Sequence, residues 1–296
     1  MVRMNYRVYF LHCIVLAVLS APWQNLYASE YVGLHSQGMG GAHRGLGTSN
    51  DTLFLNPAGM SMTKRYTIEG SVSSNSREDR TSWTVSAVDS KSGPVAGGIG
   101  WLLERKEVDG KGTSVNRFIL GLSLAPVEFV SIGFNANYFT GETGPTELSL
   151  SDLSHFSGDF GLSLSFMESF RLGFATRNVF SSDESDYLPM TTGAGFGFVS
   201  NRLNVAADMV WNHDLPEDES LSYHAGAEYF AQDIFPLRLG YQREVYRKKD
   251  NSLGNENILS AGVGWVSMGG SFEFAYKQSI ERPARQELSF GLKFFL

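Results

Sequence analysis

Five sets of residues in the 296-residue chain could do chemistry. His213-Asp214 has the residue types of a histidine–carboxylate proton relay, and Ser154-His155 those of a serine esterase. Adjacent side chains in an extended segment point to opposite faces, so neither pair is placed to share a hydrogen bond. Gly193-Ala194-Gly195-Phe196-Gly197 has part of the spacing of a nucleotide-binding fingerprint, but no helix follows it to receive a phosphate. His35, His43 and His224 would ligate a metal only if the N-terminal region met the segment around residue 224. No catalytic residue, metal or cofactor is therefore expected. The last set is larger: Glu69, Arg117, Asp159, Arg171, Arg177, Asp208, His224, Glu228, Arg238, Glu273 and Lys277. These charges share one phase of an alternating pattern, which suits either an ion-pair lattice holding an inserted segment to a wall or a polar permeation path.

That pattern is period two, the mark of a sheet with unlike faces. Leu203, Val205, Ala207, Met209 and Trp211 alternate with Asn204, Asp208 and Asn212, and Phe272, Phe274 and Tyr276 with Glu273 and Lys277. Fourteen such segments lie between residues 65 and 296, most of about nine to twelve residues, the length that crosses a bilayer at a tilt. Their connections alternate between short turns, such as Pro126, Met167 and Met268-Gly269, and longer polar stretches such as 140–153 and 244–255. This is the parity of a barrel with tight turns on one side of a membrane and loops on the other. The expected fold is all-β, a transmembrane antiparallel barrel of about fourteen strands, at residues 63–296. A soluble β-sandwich or solenoid would need helices or a fixed repeat to cover the apolar rows, and neither is seen.

Residues 1–28 have the form of a secretory signal peptide: Arg3 and Arg7 without acids, an apolar run from Val8 to Ala21, and a cut expected after Ala28. The single cysteine, Cys13, lies inside that run, so the processed chain has no disulfide or cysteine-based site. Losing the leader removes two of 24 basic residues and none of 31 acidic ones, deepening the net charge from −7 to −9. Nucleic acid is therefore excluded as an expected partner.

Residues 29–62 lack the alternation. Glycines recur through Gly33, Gly38, Gly40, Gly41, Gly45 and Gly47, and the run Leu53-Phe54-Leu55 has nowhere to bury except against other protein. Such a segment, leading into the first strand, is expected to fold as a hatch in the lumen. Eleven glycines, from Gly121 to Gly291, fall on the inward phase of the strands, where they either make room for the hatch or relieve curvature of the wall. Gly38-Met39-Gly40-Gly41-Ala42, then Asp51, then Asn56-Pro57-Ala58-Gly59-Met60 resemble the N-terminal hatch of the FadL family of outer-membrane hydrophobic-compound transporters, and equally that of the related PorV-type barrels. The resemblance covers about twenty-five residues. It implies fourteen strands, a plugged lumen, and Asn56, Pro57 and Ala58 in a structural and gating capacity.

The resemblance further implies passive uptake of a fatty-acid-like compound, released sideways through a gap at a distorted third strand. That strand contains Gly97, Gly98 and Gly100, which suit either a break or a plain strand of small residues. The family's long apolar outer loops are replaced here by charged ones, among them Asp183-Glu184-Ser185-Asp186 and Glu217-Asp218-Glu219. Phe290, Leu292, Phe294 and Leu296 resemble the C-terminal signal read by the barrel-assembly machinery. The expectation is thus a monomer in the outer membrane of a Gram-negative bacterium, with membrane lipid, the assembly machinery and a hydrophobic small molecule as partners. Its alternatives are a PorV-like barrel without transport and a narrow polar porin.

Overall fold

The strands close on themselves. A computed structural model describes the chain except for residues 1–30, 48, 77–78, 109–110, 143–152, 181–188, 217–218 and 248–251, so the expected leader and most of the acidic loop residues lie outside the described residues. The barrel is formed by β1 (Tyr66–Asn75), β2 (Arg80–Asp89), β3 (Val95–Val108), β4 (Lys111–Val127), β5 (Val130–Glu142), β6 (Leu153–Phe166) and β7 (Phe170–Arg177). It continues through β8 (Thr191–Val199), β9 (Leu203–Asn212), β10 (Leu221–Ala231), β11 (Phe235–Arg247), β12 (Leu253–Val266), β13 (Gly270–Ser279) and β14 (Gln286–Phe295). Each strand pairs with its sequence neighbours, and β1 closes antiparallel on β14, with Thr67 opposite Phe295 and Asn75 opposite Glu287. Closure leaves no sheet edge, the condition for β structure in lipid. Among the described residues no helix is long and apolar enough to cross a membrane.

The alternation sorts side chains as the sequence suggests. In β9 the residues of the Leu203 row are exposed while Asn204, Ala206, Asp208 and Val210 are buried inside. Outside, Phe166 stacks on Phe170, and Phe170 lies 5.4 Å from Phe198, an aromatic cluster beside the short turns.

Strand ends differ from the sequence reading on one side of the barrel. A loop is expected over residues 104–114, yet β3 and β4 stay paired until Val108 opposite Lys111, and β11 runs on to Arg247 rather than ending near residue 243. Apolar alternation marks only the part of a strand that meets lipid, whereas backbone pairing continues where side chains are polar. Glu104, for example, turns inward to Arg80, while Arg105 turns outward over the Trp83 ring at 5.4 Å.

The third strand takes one of the two forms its glycines allow, the plain strand. β3 pairs in unbroken register with β2, Gly97 opposite Asp89 and Gly100 opposite Ser86, and with β4, Gly97 opposite Leu122 and Gly100 opposite Ile119. There is no gap at Gly97, Gly98 or Gly100. The one register shift in the β4–β5 pairing lies between Leu124 and Val127, where Pro126 offers no backbone N–H.

Candidate functional site

Residues 31–47 and 49–61 lie in the lumen. They form α1 (Leu34–Gly38), α2 (Thr52–Leu55) and a 3₁₀ turn (Pro57–Ser61), too short to be stable without the wall around them. Asp51 ties the two ends of the segment together: its Oδ2 accepts from the Ser36 backbone N–H and from Ser36 Oγ, both at 2.6 Å. Gly33, at φ 81°, leaves the space this requires, since a Cβ there would lie 2.3 Å from Asp51 Cγ. Burial raises the Asp51 carboxyl above its ordinary range, opposed by Lys293 and by the Ser36 bonds.

The motif residues hold hatch to wall. Asn56 Oδ1 accepts from Ala58 N at 3.2 Å, capping the 3₁₀ turn with Pro57 at its first position, and Asn56 Nδ2 donates to Arg44 O at 2.9 Å and to Ser163 Oγ on β6 at 3.0 Å. Ala58 O accepts from Ser123 Oγ on β4 at 3.1 Å. Gly38 O accepts from Ser260 Oγ on β12, and Gly40 O accepts from His224 Nδ1 on β10 at 2.8 Å. Gly40 has φ 66° and lies so near β11 that a Cβ would meet Tyr241 N at 2.6 Å; at Gly41, φ 78°, it would meet His224.

The eleven wall glycines expected on the inward phase all face this segment: a Cβ on any of them would contact a hatch atom. At Gly173 it would lie 2.0 Å from Arg44 O, whereas at outward Gly97 it would meet nothing within 4 Å. Gly98 and Gly100 are inward and receive Met60 and Leu53. Gly173→Ala is therefore expected to push the hatch off β7, at a cost of about 1–3 kcal/mol, while Gly97→Ala leaves it seated. Protease susceptibility of the hatch in the folded barrel checks this: the first variant should be cut faster than wild type and the second at the wild-type rate.

The inward charges form separate groups. Asp208 on β9 receives the hatch: its Oδ2 accepts from His43 N and Arg44 N, both at 2.9 Å, and from Arg44 Nη1 at 3.3 Å. Asp159 on β6 accepts from Asn137 Nδ2 at 2.9 Å and Arg117 Nη2 at 3.3 Å. Arg171 on β7 donates to Leu46 O, and Arg177 is inward and buried. A chain of charges crosses the closure of the barrel. Arg238 lies between Glu228 Oε2 at 2.7 Å and Glu273 Oε2 at 2.9 Å, and Lys293 between Glu273 Oε1 at 3.4 Å and Glu69 Oε2 at 3.0 Å. Gln37 spans the same closure from within, donating to Ser73 Oγ on β1 at 3.3 Å and accepting from Ser289 Oγ on β14.

Toward β2–β4 the hatch carries an apolar cluster beside the bonds from Asn50 to Ser86 on β2 and from Ser123 on β4. Tyr31, Leu53, Phe54 and Met60 pack with Val88 on β2, Ala96 and Leu102 on β3, and Ile119 on β4, with the Tyr31 and Phe54 rings edge-on at 4.9 Å.

The candidate chemical pairs come apart. His213 Nε2 shares a hydrogen bond with Thr192 Oγ1 at 2.8 Å, while Asp214 accepts from Met190 N. Ser154 Oγ bonds Tyr138 OH. The hatch does meet β10, but His224 is engaged with Gly40 while His35 and His43 pack ring against ring at 4.9 Å, and no group of metal-ligating side chains occurs among the described residues. The Asp208 partner was not singled out in the sequence, although Arg44 is the sole lysine or arginine between Ser29 and Met62.

No family model and no curated protein matches this sequence. Solved structures do. The Pseudomonas putida toluene transporter TodX superposes with a TM-score of 0.68 at 14% identity, over 91% of this chain and 98% of its own. The CymD monoaromatic hydrocarbon channel gives 0.65 at 14%, over 91% and 97%. A Pseudomonas aeruginosa FadL homologue gives 0.61 at 13%, over 91% and 98%. The likeness is one of fold: a fourteen-stranded barrel of FadL type.

Proposed function

We propose that this protein is a hatch-gated channel of the Gram-negative outer membrane that passes small hydrophobic compounds inward by diffusion. The observation that carries the reading is the two-sidedness of the hatch. One side is bonded to β1, β9–β12 and β14, while on the other, among hydrogen bonds to β2 and β4–β7, Tyr31, Leu53, Phe54 and Met60 make an apolar interior against β2–β4, beside the glycines of β3. An apolar compound could replace contacts of that kind without stranding polar groups. Two structures of the same fold are described as a toluene transporter and a monoaromatic hydrocarbon channel, which supports the compound class. The hatch as described is closed and β3 is unbroken, so passage requires the hatch to move. In this reading the barrel is a monomer. Lipid covers the outward rows, and the Phe290, Leu292, Phe294 and Leu296 row serves the assembly machinery.

The same unbroken strand favours a second reading, a PorV-like barrel that docks protein partners and transports nothing. A polar porin is less favoured, because the lumenal charges are spent on one another and on the hatch.

A disulfide distinguishes these readings. Ser61 Oγ on the hatch lies 2.8 Å from Ser123 Oγ on β4, and Cys13 is the one native cysteine. Ser61→Cys with Ser123→Cys should oxidise and lock the hatch. Uptake of radiolabelled toluene and of a short fatty acid into vesicles holding the barrel should fall to background when oxidised and recover on reduction. Uptake at background in the reduced and wild-type proteins would eliminate transport, and uptake unaffected by the lock would eliminate the hatch as gate.

A further inference from the structure

His35 lies at the start of α1, 7% exposed, between two strands of the wall. Arg238 Nη2 on β11 donates to its Nδ1 at 3.2 Å, and its Nε2 lies 3.5 Å from Glu228 Oε2 on β10. Arginine has only donors, so Nδ1 must be the bare, accepting nitrogen and the proton must sit on Nε2. One charge state of the ring therefore fits this seat. A proton on Nδ1 would set N–H against N–H and cation against cation. Glu228 has little to offer in return, since it is already engaged by Arg238 Nε and by Asn204 Nδ2, both at 2.7 Å.

We propose that His35 is a proton-sensitive latch: when it takes up a proton, the bond from Arg238 is lost and α1 is driven from the wall, so the hatch loosens on acidification. The groups facing it are Arg238, Glu228, Glu273 on β13, Lys293 on β14, Arg65 ahead of β1, and His43 within the hatch. Burial and then Arg238 hold the His35 ring well below its ordinary 6.5. The sign follows. The stability that neutral His35 gives the seated hatch is complete above 6.5 and is lost as pH falls from there toward the lower seated value. His43 is depressed as well, by burial and by His35, and adds in the same direction. Asp51 acts oppositely, because a raised carboxyl favours the seated state below 3.8 and loses that contribution as pH rises through its seated value. Comparing a His35 variant with wild type removes the Asp51 contribution, which both share.

The test uses the full processed barrel in lipid vesicles, with Leu34→Cys as reporter and Gly269→Cys as reference. Leu34 is 2% exposed and packs on β14 at Gly291, and Gly269 sits in an open turn. Each is reacted with a charged methanethiosulfonate, and the ratio of rates removes the thiol's own pH dependence. Between about pH 6 and about pH 5 the Leu34→Cys to Gly269→Cys ratio should rise, approaching tenfold per pH unit for each proton linked. His35→Gln, which can accept from Arg238 and donate toward Glu228 without charging, should flatten the rise, with heat-modifiable gel migration showing its barrel intact. A flat wild-type ratio would overturn the proposal, and needs no variant. So would an undiminished rise in His35→Gln, which would move the effect to His43. Neither result depends on whether any compound is transported.

Discussion

Asp208→Ala is expected to release the hatch more completely than any other single change on the wall. The Asp208 carboxylate accepts two consecutive backbone N–H groups and the Arg44 guanidinium, and both side chains are out of solvent, at 0% and 1% exposure. Truncation leaves two backbone donors without that acceptor and a buried guanidinium without that carboxylate, a loss of about 3–5 kcal/mol. At about 1.4 kcal/mol per tenfold change, this shifts the hatch equilibrium by two decades or more. The checks are ion conductance in planar bilayers and sensitivity of cells to a large antibiotic, both of which should rise while the barrel still migrates as folded. Adding Arg44→Met should recover part of the loss, because the buried guanidinium that faced the carboxylate is removed with it. If the double variant leaks as much as Asp208→Ala, the ion pair is not what holds the hatch.

The second large effect is expected at Arg238, on the wall itself. Its Nε and Nη1 bond two carboxylates on different strands and its Nη2 bonds His35, so Arg238→Met deprives Glu228, which is 0% exposed, of its guanidinium partner and leaves it with Asn204, and leaves Glu273 with Lys293 and Ser271. A loss of about 3–5 kcal/mol is expected, read as a lower urea midpoint for unfolding from vesicles. Arg238→Lys should recover little, since an ammonium lacks the planar fork that reaches three partners. Adding Glu228→Gln to Arg238→Met should restore part of the midpoint. An unchanged midpoint in Arg238→Met would mean that water reaches this group and solvates Glu228.

The barrel was legible because its physics is local and periodic. Any stretch such as 203–211 shows its two faces without reference to the rest of the chain, and inward glycines such as Gly173 and Gly240 stand out against that period. Strand ends were less legible, because at Glu104–Lys106 pairing persists after the apolar signal stops. The glycines of β3 were ambiguous in principle. A small residue permits both a break and a close approach, and only the arrival of Leu53 and Met60 decides between them. The joints of the hatch were not legible at all. His35 meets Arg238 across 203 residues of sequence and Arg44 meets Asp208 across 164, and no local pattern specifies partners at such range.

Gln37 touches the first strand and the last, and through it the earliest described helix holds the place where the wall shuts. The order of assembly is thereby constrained. The hatch cannot finish docking until β14, which follows the other described strands in the chain, has arrived, so a barrel short of β14 lacks half of that grip and carries a loose plug. Occupancy of the plug thus reports whether the cylinder is whole: a seated hatch is a certificate of completion that an unfinished chain cannot present.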